Sequence, residues 1–218
     1  MIKRKNILKI AIDSPAAAGA GTLAKAISKY YNLFYLDTGK IYRFIAYLKI
    51  KYPKKFNNKF IKSKIKLLKI KDLSNNNLLS DEVGTEASII SKIKSIRKMV
   101  HSFQVNFAYN PPKKYKGSCL DGRDITYNII PDADFKFYIT ANVKTRALRR
   151  YRELKGLKKK ITYPEVLKSI KKRDKSDFSR KISPLKKTKD SLLINTTNLN
   201  KRSCFLKIKK IIDRKINI

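Results

Sequence analysis

The sequence is poor in the residues that build metal centres and disulfides. It holds 2 cysteines and 1 histidine in 218 residues. Two cysteines exclude a disulfide scaffold and any four-cysteine metal site. A lone histidine, His101, excludes multi-histidine metal chemistry. No uninterrupted apolar stretch approaches the roughly 20 residues of a membrane-spanning helix. Acids are scarce as well, 16 against 53 lysines and arginines, for a formal net charge of +37. What is present is 42% apolar residues, enough for a real core. The length corresponds to about one to one and a half domains at roughly 150 residues each, and wholesale disorder is excluded.

A strongly basic chain suits a nucleic-acid binder steered by its field. The make-up of the charge points elsewhere. Lysine outnumbers arginine 41 to 12, isoleucine occurs 28 times and asparagine is frequent. All three use A- and T-rich codons, so biased composition accounts for the excess. Arginine, the residue suited to forked recognition of phosphate and guanine, is not the enriched one. Where the few acids and arginines fall therefore matters more than their sum. Residues 1–20 superficially resemble a secretion signal, but Lys9 and Asp13 interrupt an apolar stretch shorter than such signals carry. We read the chain as a cytoplasmic monomer with no membrane or nucleic-acid partner. Cys119 and Cys204 are read as reduced, inert thiols.

Residues 7–13, ILKIAID, form a short isoleucine-rich run, as expected of a buried parallel strand. A small-residue loop, SPAAAGAG, and a helical pattern opening at Thr22 follow. Further strands are expected at 33–37, 117–121, 135–141 and 191–197, with helices after Asp37-Thr38-Gly39, over 85–109, within 142–175 and over 200–214. Asn110-Pro111-Pro112 ends the helix before it. Residues 51–80, rich in lysine and asparagine, read as a poorly specified, exposed insertion. His101 reads as a helix-surface or interface residue, and Tyr30 and Tyr31 as core packing. Alternating strands and helices predict an α/β fold with a parallel sheet near five strands. Ligands of such sheets bind beyond the carboxyl ends of the strands. Three strand ends carry polar clusters: Asp13 with its loop, Asp37-Thr38-Gly39, and Asp121-Gly122-Arg123-Asp124.

A phosphate loop has the form G-x-x-x-x-G-K-[ST] between a strand and a helix, where backbone N–H groups and the helix N-terminus hold phosphate. Ser14, Pro15, Ala16, Ala17, Ala18, Gly19, Ala20, Gly21 and Thr22 have that context and spacing. Ser14 stands in place of the first glycine and Ala20 in place of the lysine. Taken alone, the segment fits an ordinary small-residue turn equally well. The arginines Arg43, Arg123 and Arg180 are suited to converge on a phosphate, although any one alone reads as a surface charge.

Several segments taken together resemble bacterial cytidylate kinases along nearly the whole chain. IAIDSPAAAGAGTLAKAIS is similar to that family's strand, phosphate loop and helix, and LDTGKIYR at 36–43 to its D-[ST]-G-x-x-Y-R motif. EASIISKIKSIR at 86–97 is similar to its serine segment. LDGRDI at 120–125 with PDADFKFYITA at 131–141, and RDKSDFSRKISPLK at 173–186, resemble its remaining motifs. The resemblance implies a single nucleoside monophosphate kinase domain over 1–218, with an acceptor-binding region near 44–110 and a lid near 144–180. It implies an ATP-dependent phosphorylation of CMP or dCMP, with Mg²⁺ accompanying ATP. Alternatives are a kinase for another monophosphate such as UMP, or a nucleotide-binding homologue with impaired catalysis.

By the same resemblance Arg43, Arg123 and Arg180 hold the acceptor phosphate beside Asp37 and Thr38. Cytosine presents an amino donor and two acceptors, which suit a carboxylate and an arginine or hydroxyl. The resemblance gives these roles to Asp124, Arg97 and Ser88. A salt bridge for Asp124 and a plain helix-surface hydroxyl for Ser88 are the local alternatives. Asp177 and Arg173 fall to the sugar hydroxyls, or form an ordinary helix ion pair. The basic stretch 144–160, with Arg146, Arg149 and Arg150, is either a solvated helix face or the lid's cations. Thr126 occupies a position where the family commonly has glycine. For the charge missing at Ala20, Lys40 is the expected substitute. A slow enzyme, or binding without turnover, are the other outcomes. No direct protein ligand for the metal is expected.

Overall fold

The computed structural model describes residues 7–157 and 160–216. The basic start of the secretion-like segment, residues 1–6, lies outside them. Five strands are present among the described residues: β1 (Leu8–Asp13), β2 (Leu33–Asp37), β3 (Gly117–Gly122), β4 (Phe135–Thr140) and β5 (Leu192–Asn195). All pair in parallel, in the order β2-β3-β1-β4-β5. The isoleucine-rich run that superficially resembled a signal is thus the central strand. Its register sets Asp13 opposite Gly122, and that of β2 sets Asp37 opposite Asp121. The three polar strand ends therefore lie level with one another on one edge of the sheet.

Eight α-helices surround the sheet among the described residues: α1 (Ala20–Tyr30), α2 (Thr38–Lys51), α3 (Asn58–Leu67), α4 (Asp81–Ile90), α5 (Lys94–Tyr109), α6 (Val143–Gly156), α7 (Tyr163–Ser179) and α8 (Lys201–Ile216). The pleat divides the core. Ile10 and Ile12 of β1 face α1 and α8, packing with Leu23, Ile27, Ile208 and Ile212. Ala11 faces the opposite way, toward Ile41 and Ile45 of α2 and Val100 of α5. Helices α6 and α7 share a small apolar cluster of their own, Ala147, Leu154, Val166 and Ile170. No described helix is long and apolar enough to cross a membrane.

The structure corrects several expectations. Residues 51–80 are not a loosely specified exposed insertion. They contain α3, capped by Asn57 through the Phe60 N–H at 2.9 Å. Ile61, Ile65, Leu68, Leu73 and Leu78 of this stretch are buried in the main core. The 85–109 helix is two helices, because the chain turns at 91–93 between α4 and α5. Helix α1 opens at Ala20 rather than Thr22, and its N-cap is Gly19. Tyr30 is 52% exposed while Tyr31 is buried against α8, where its hydroxyl donates to Asp213 Oδ1 at 2.6 Å. His101 is partly buried on α5, its Nε2 lying 3.2 Å from the Asn128 carbonyl. Both cysteines are free and buried, and burial pushes the Cys119 thiol up to about 12.

Candidate active site

Strand β1 delivers the chain into the turn 14–19, which swings into α1. Two residues take left-handed backbone angles, Ala17 (φ 59°) and Gly19 (φ 91°). Glycine at 19 adopts this conformation without steric cost, whereas alanine at 17 does so under strain. Left-handed residues spaced in this way belong to backbone turns that gather N–H groups on one side, although the Ala18 N–H is used within the turn, donating to the Pro15 carbonyl at 3.4 Å. The carbonyls are drawn away to other donors. Arg146 Nη1 donates to the Ala16 carbonyl at 2.9 Å, and Thr196 Oγ1 to the Ala18 carbonyl at 3.2 Å. The Ser14 N–H donates to the Gly122 carbonyl at 3.1 Å, tying the turn to β3. No side chain caps α1, so its first N–H groups stay available to an anion.

Position 20 carries no charge. The Ala20 side chain is 4% exposed and packs within the apolar cluster beneath the turn. A cation does reach the turn from α6. Arg149 Nη1 lies 4.0 Å from where a β-carbon on Gly19 would sit. Its guanidinium is held by Thr196, through Oγ1 at 2.9 Å and the carbonyl at 2.6 Å. Arg146 is buried and bonds to the Ala141 carbonyl at 2.8 Å and to Asp174 Oδ2 at 2.6 Å. It is neither a solvated charge nor free to swing.

Beside the turn lies a second feature, a cavity of about 60 Å³ lined by Thr38, Gly39, Tyr42 and Arg43 of α2, Ala87, Ser88, Ser91 and Arg97 around α4–α5, Gly122 at the end of β3 with Arg123 and Asp124 after it, Arg173 and Asp177 of α7, and Arg180 just past that helix. Every acceptor residue expected from sequence lines it except Asp37. Lys40, the expected substitute cation, is not among the lining residues either. The Asp37 carboxylate instead caps α2, accepting the Lys40 N–H at 3.3 Å.

The cavity is small because its charged groups hold one another. Arg97 Nη2 donates to Asp124 Oδ2 at 2.5 Å, with the two side chains 7% and 6% exposed. The same guanidinium donates to the Ser91 carbonyl at 3.1 Å and lies over the Tyr42 ring at 5.5 Å. Asn128 Nδ2 also donates to Asp124 Oδ2, at 2.7 Å. Arg123 Nε donates to Asp177 Oδ2 at 2.7 Å, and Arg180 Nη1 lies 3.8 Å from Asp177 Oδ1. Burial opposes the charge on Asp177, but Arg123, Arg173 and Arg180 overcome it and hold its carboxyl below the usual range. Arg43 Nη1 donates to the Leu78 and Ser80 carbonyls at 2.7 and 3.2 Å. Arg173 is pulled down to about 10 by burial and then by the neighbouring Arg123 and Arg43 charges. Arg180 Nη2 is buried with no hydrogen-bond partner among the described residues.

Sequence reasoning missed Asp121 and Asp13 as individual site residues, although both belong to the polar strand ends it singled out. Asp121 Oδ1 is buried and has no hydrogen-bond partner among the described residues. Burial, and then the adjacent Asp37 carboxylate, push its carboxyl far above the usual range. Its Oδ2 would stand 3.6 Å from a β-carbon on Gly21, so it faces the start of α1. Two level carboxylates next to a phosphate-type turn suit a hydrated divalent cation, which takes one or two carboxylates and keeps several waters. Among the described residues no group of three or more His, Cys, Asp or Glu forms a protein-only metal cage.

A phosphate-type turn joined through Gly122 to a guanidinium-lined cavity suits a two-substrate phosphoryl-transfer site. Comparison with known proteins agrees. The fold is similar to the crystal structure of an uncharacterized protein from Eubacterium ventriosum, with a TM-score of 0.54 at 16% identity over 94% of this chain and 98% of that one. The sequence is 43% identical over 199 residues to the cytidylate kinase of Bartonella tribocorum, covering 90% of each chain. It is 36% identical over 226 residues to that of Mesomycoplasma hyopneumoniae, covering 96% and 95%. It is 38% identical over 220 residues to that of Clostridium tetani, covering 95% and 94%. The Cytidylate kinase family matches residues 10–214, from the central strand to the last helix. With the site residues spread along that whole span, the chain belongs to the cytidylate kinase family.

Proposed function

We propose that this protein transfers the γ-phosphoryl group of ATP to CMP or dCMP, giving ADP and CDP or dCDP. The observation that carries the reading is the charge imbalance of the cavity. Five guanidinium groups, on Arg43, Arg97, Arg123, Arg173 and Arg180, stand against two carboxylates, on Asp124 and Asp177. A dianionic phosphate offsets that surplus, and forked guanidinium groups bind it bidentately. Arg43, Arg123 and Arg180 take the acceptor phosphate in this reading, with the unpartnered Arg180 Nη2 as a donor in need of an acceptor. Arg173 and Asp177 take the sugar hydroxyls, and Thr38 lines the cavity beside them.

Base selection falls to Asp124, Arg97 and Ser88. Asp124 Oδ2 is occupied by Arg97 and Asn128, whereas Oδ1 has no hydrogen-bond partner among the described residues. Oδ1 is then the acceptor for the amino group of cytosine. Uracil would set a carbonyl against it, leaving two acceptors face to face. Entry of the nucleotide exchanges side-chain ion pairs for ligand contacts, so binding widens the small cavity.

On the donor side the N–H groups at the end of the turn and in the first turn of α1 cradle the phosphates of ATP. Asp121, with Asp37, would hold the Mg²⁺ that accompanies ATP, a fit supported by the buried, unpartnered Asp121 Oδ1. When bound, that ion offsets phosphate charge during in-line transfer. Two cations are proposed for the charge absent at position 20: Arg149, which stands beside Gly19, and Lys40, in the first turn of α2. The test is ADP release from ATP with CMP, dCMP, UMP, AMP and GMP in parallel. Preference for the cytosine nucleotides is expected. ADP formation with UMP at the same efficiency, or none with any acceptor, overturns the reading.

A further inference from the structure

Asp13 touches neither proposed substrate pocket, yet it is the last residue of the central strand and is completely buried. Its carboxylate takes three hydrogen bonds from the segment that follows Asp124. Oδ1 accepts the Ile125 N–H at 2.8 Å. Oδ2 accepts the Thr126 N–H at 3.0 Å and the Thr126 hydroxyl at 2.6 Å. Ile125 and Thr126 open a single wide turn, Ile125–Ile129, closed by the Ile130 N–H on the Ile125 carbonyl at 2.8 Å. One residue before that turn stands Asp124; one residue after Asp13 the phosphate-type turn begins. A buried carboxylate thus joins the donor side of the site to the arm that carries Arg123 and Asp124.

We propose that Asp13 is a positioning residue for acceptor selection, and that the Thr126 hydroxyl, where the resembled family commonly has glycine, is the bond that completes it. The proposal rests on the cytidine-nucleotide reading of the cavity. A carboxylate accepts from all three donors at once; an amide in its place would turn an N–H₂ group against one of them. Loss of the clamp lets the Asp124 arm shift, and misplacement of a reading group erodes affinity and discrimination together. Turnover of a correctly bound acceptor changes less, because Asp13 contacts no reacting atom.

The charge state of Asp13 gives an independent readout. Burial pushes its carboxyl up to about 6, while the Thr126 hydroxyl, then the Thr126 and Ile125 N–H groups, pull it down and the nearby Asp124 carboxylate pushes it up. Among the described residues, Arg123, Tyr127 and Tyr138 are ionisable groups that feel its charge. Arg123 is kept charged, and both tyrosines stay neutral because their values are raised. Removing the hydroxyl therefore moves the Asp13 transition upward, and the acid limb of acceptor binding with it.

The experiment compares wild type, Thr126→Ser, Thr126→Val and Asp13→Asn. CMP and UMP binding are measured by calorimetry from pH 5 to 8, alongside KM and kcat for CMP. Thr126→Val is expected to weaken CMP binding by about tenfold, the scale of one hydrogen bond to a charged group. It should also narrow the CMP-to-UMP ratio and shift its acid limb to higher pH. Thr126→Ser should restore all three, and Asp13→Asn should show the loss without the pH shift. Ionisation of the CMP phosphate is common to all variants and cancels in the comparison. Calorimetry reports on the clamp even if no turnover occurs, so its failure is distinguishable from failure of the kinase reading. The clamp is refuted if Thr126→Val matches Thr126→Ser in affinity, ratio and pH limb, or if the variants lose only thermal stability and kcat. Should Asp13→Asn fail to fold, the Val–Ser pair alone decides.

Discussion

Asp124→Asn is the substitution that tests the cavity most sharply, because the structure dictates which way the new amide must point. Two donors, Arg97 Nη2 at 2.5 Å and Asn128 Nδ2 at 2.7 Å, converge on Asp124 Oδ2. The amide oxygen has to occupy that side. The NH₂ group is then forced into the place of Oδ1, and the proposed acceptor for the base becomes a donor. Toward CMP this replaces a charge-assisted bond with a donor facing a donor. The loss is about 1.5–3 kcal/mol, or roughly 10- to 150-fold in kcat/KM at about 1.4 kcal/mol per decade. Toward UMP the same change creates a bond to the uracil carbonyl, so its kcat/KM rises. Coupled ADP-release kinetics with both acceptors measure the ratio directly. Arg97 keeps the Ser91 carbonyl and the Tyr42 ring, so the variant remains folded, with a lowered thermal midpoint from the lost counter-charge. If both acceptors decline by the same factor, Asp124 is only the counter-ion of Arg97 and does not read the base.

Other expectations follow from single observations. Arg149→Ala should lower kcat by about 10²–10³, the usual scale for one preorganised donor to a developing charge; near-wild-type turnover removes Arg149 as the cation of the turn, and the same result in Lys40→Ala removes Lys40. Asp177 has a depressed carboxyl, so its stabilising contribution is present above its unfolded value near 3.8 and is lost as pH falls through the lower folded value. Asp177→Asn should therefore melt lower at neutral pH, and the gap should close in acid; a constant gap across the titration contradicts the ion-pair assignment. At Gly117 a β-carbon would collide with the Leu8 backbone of the neighbouring strand. Gly117→Ala should cost about 1–3 kcal/mol, which for a chain of this size lowers the midpoint by about 2–4 °C per kcal/mol; an unchanged melt would show that the strands can part there.

Much of the site was legible because short parallel strands announce themselves. Runs such as ILKIAID and FKFYITA end in polar residues, and the site of such a sheet lies at those ends. Strand order was not legible, since it depends on pairings such as Gly117 with Leu8, made between distant parts of the chain. The 51–80 stretch misled for a different reason. Ile61, Ile65 and Leu68 form a helical stripe, but five lysines between 59 and 69 dilute it until the apolar spacing looks incidental. Asp13 read as part of a polar strand end, and only its bonds to residues 112 and 113 positions later show what it holds. Tyr30 and Tyr31 are neighbours at a helix end where one ring must face in and the other out, a choice composition does not reveal. The absent lysine was plain from spacing alone, whereas the arginine standing near the turn comes from a helix more than a hundred residues away.

Arg146 has a mechanical consequence. One guanidinium grips the Ala16 carbonyl, the Ala141 carbonyl and the Asp174 carboxylate of α7. The turn after β1 and the α6–α7 pair are thereby geared together through a buried fork rather than a surface hinge. A triphosphate that stiffens the turn must slow amide hydrogen exchange in the helix pair, and anything that loosens the pair must weaken the triphosphate by the same factor, because such linkage runs equally in both directions.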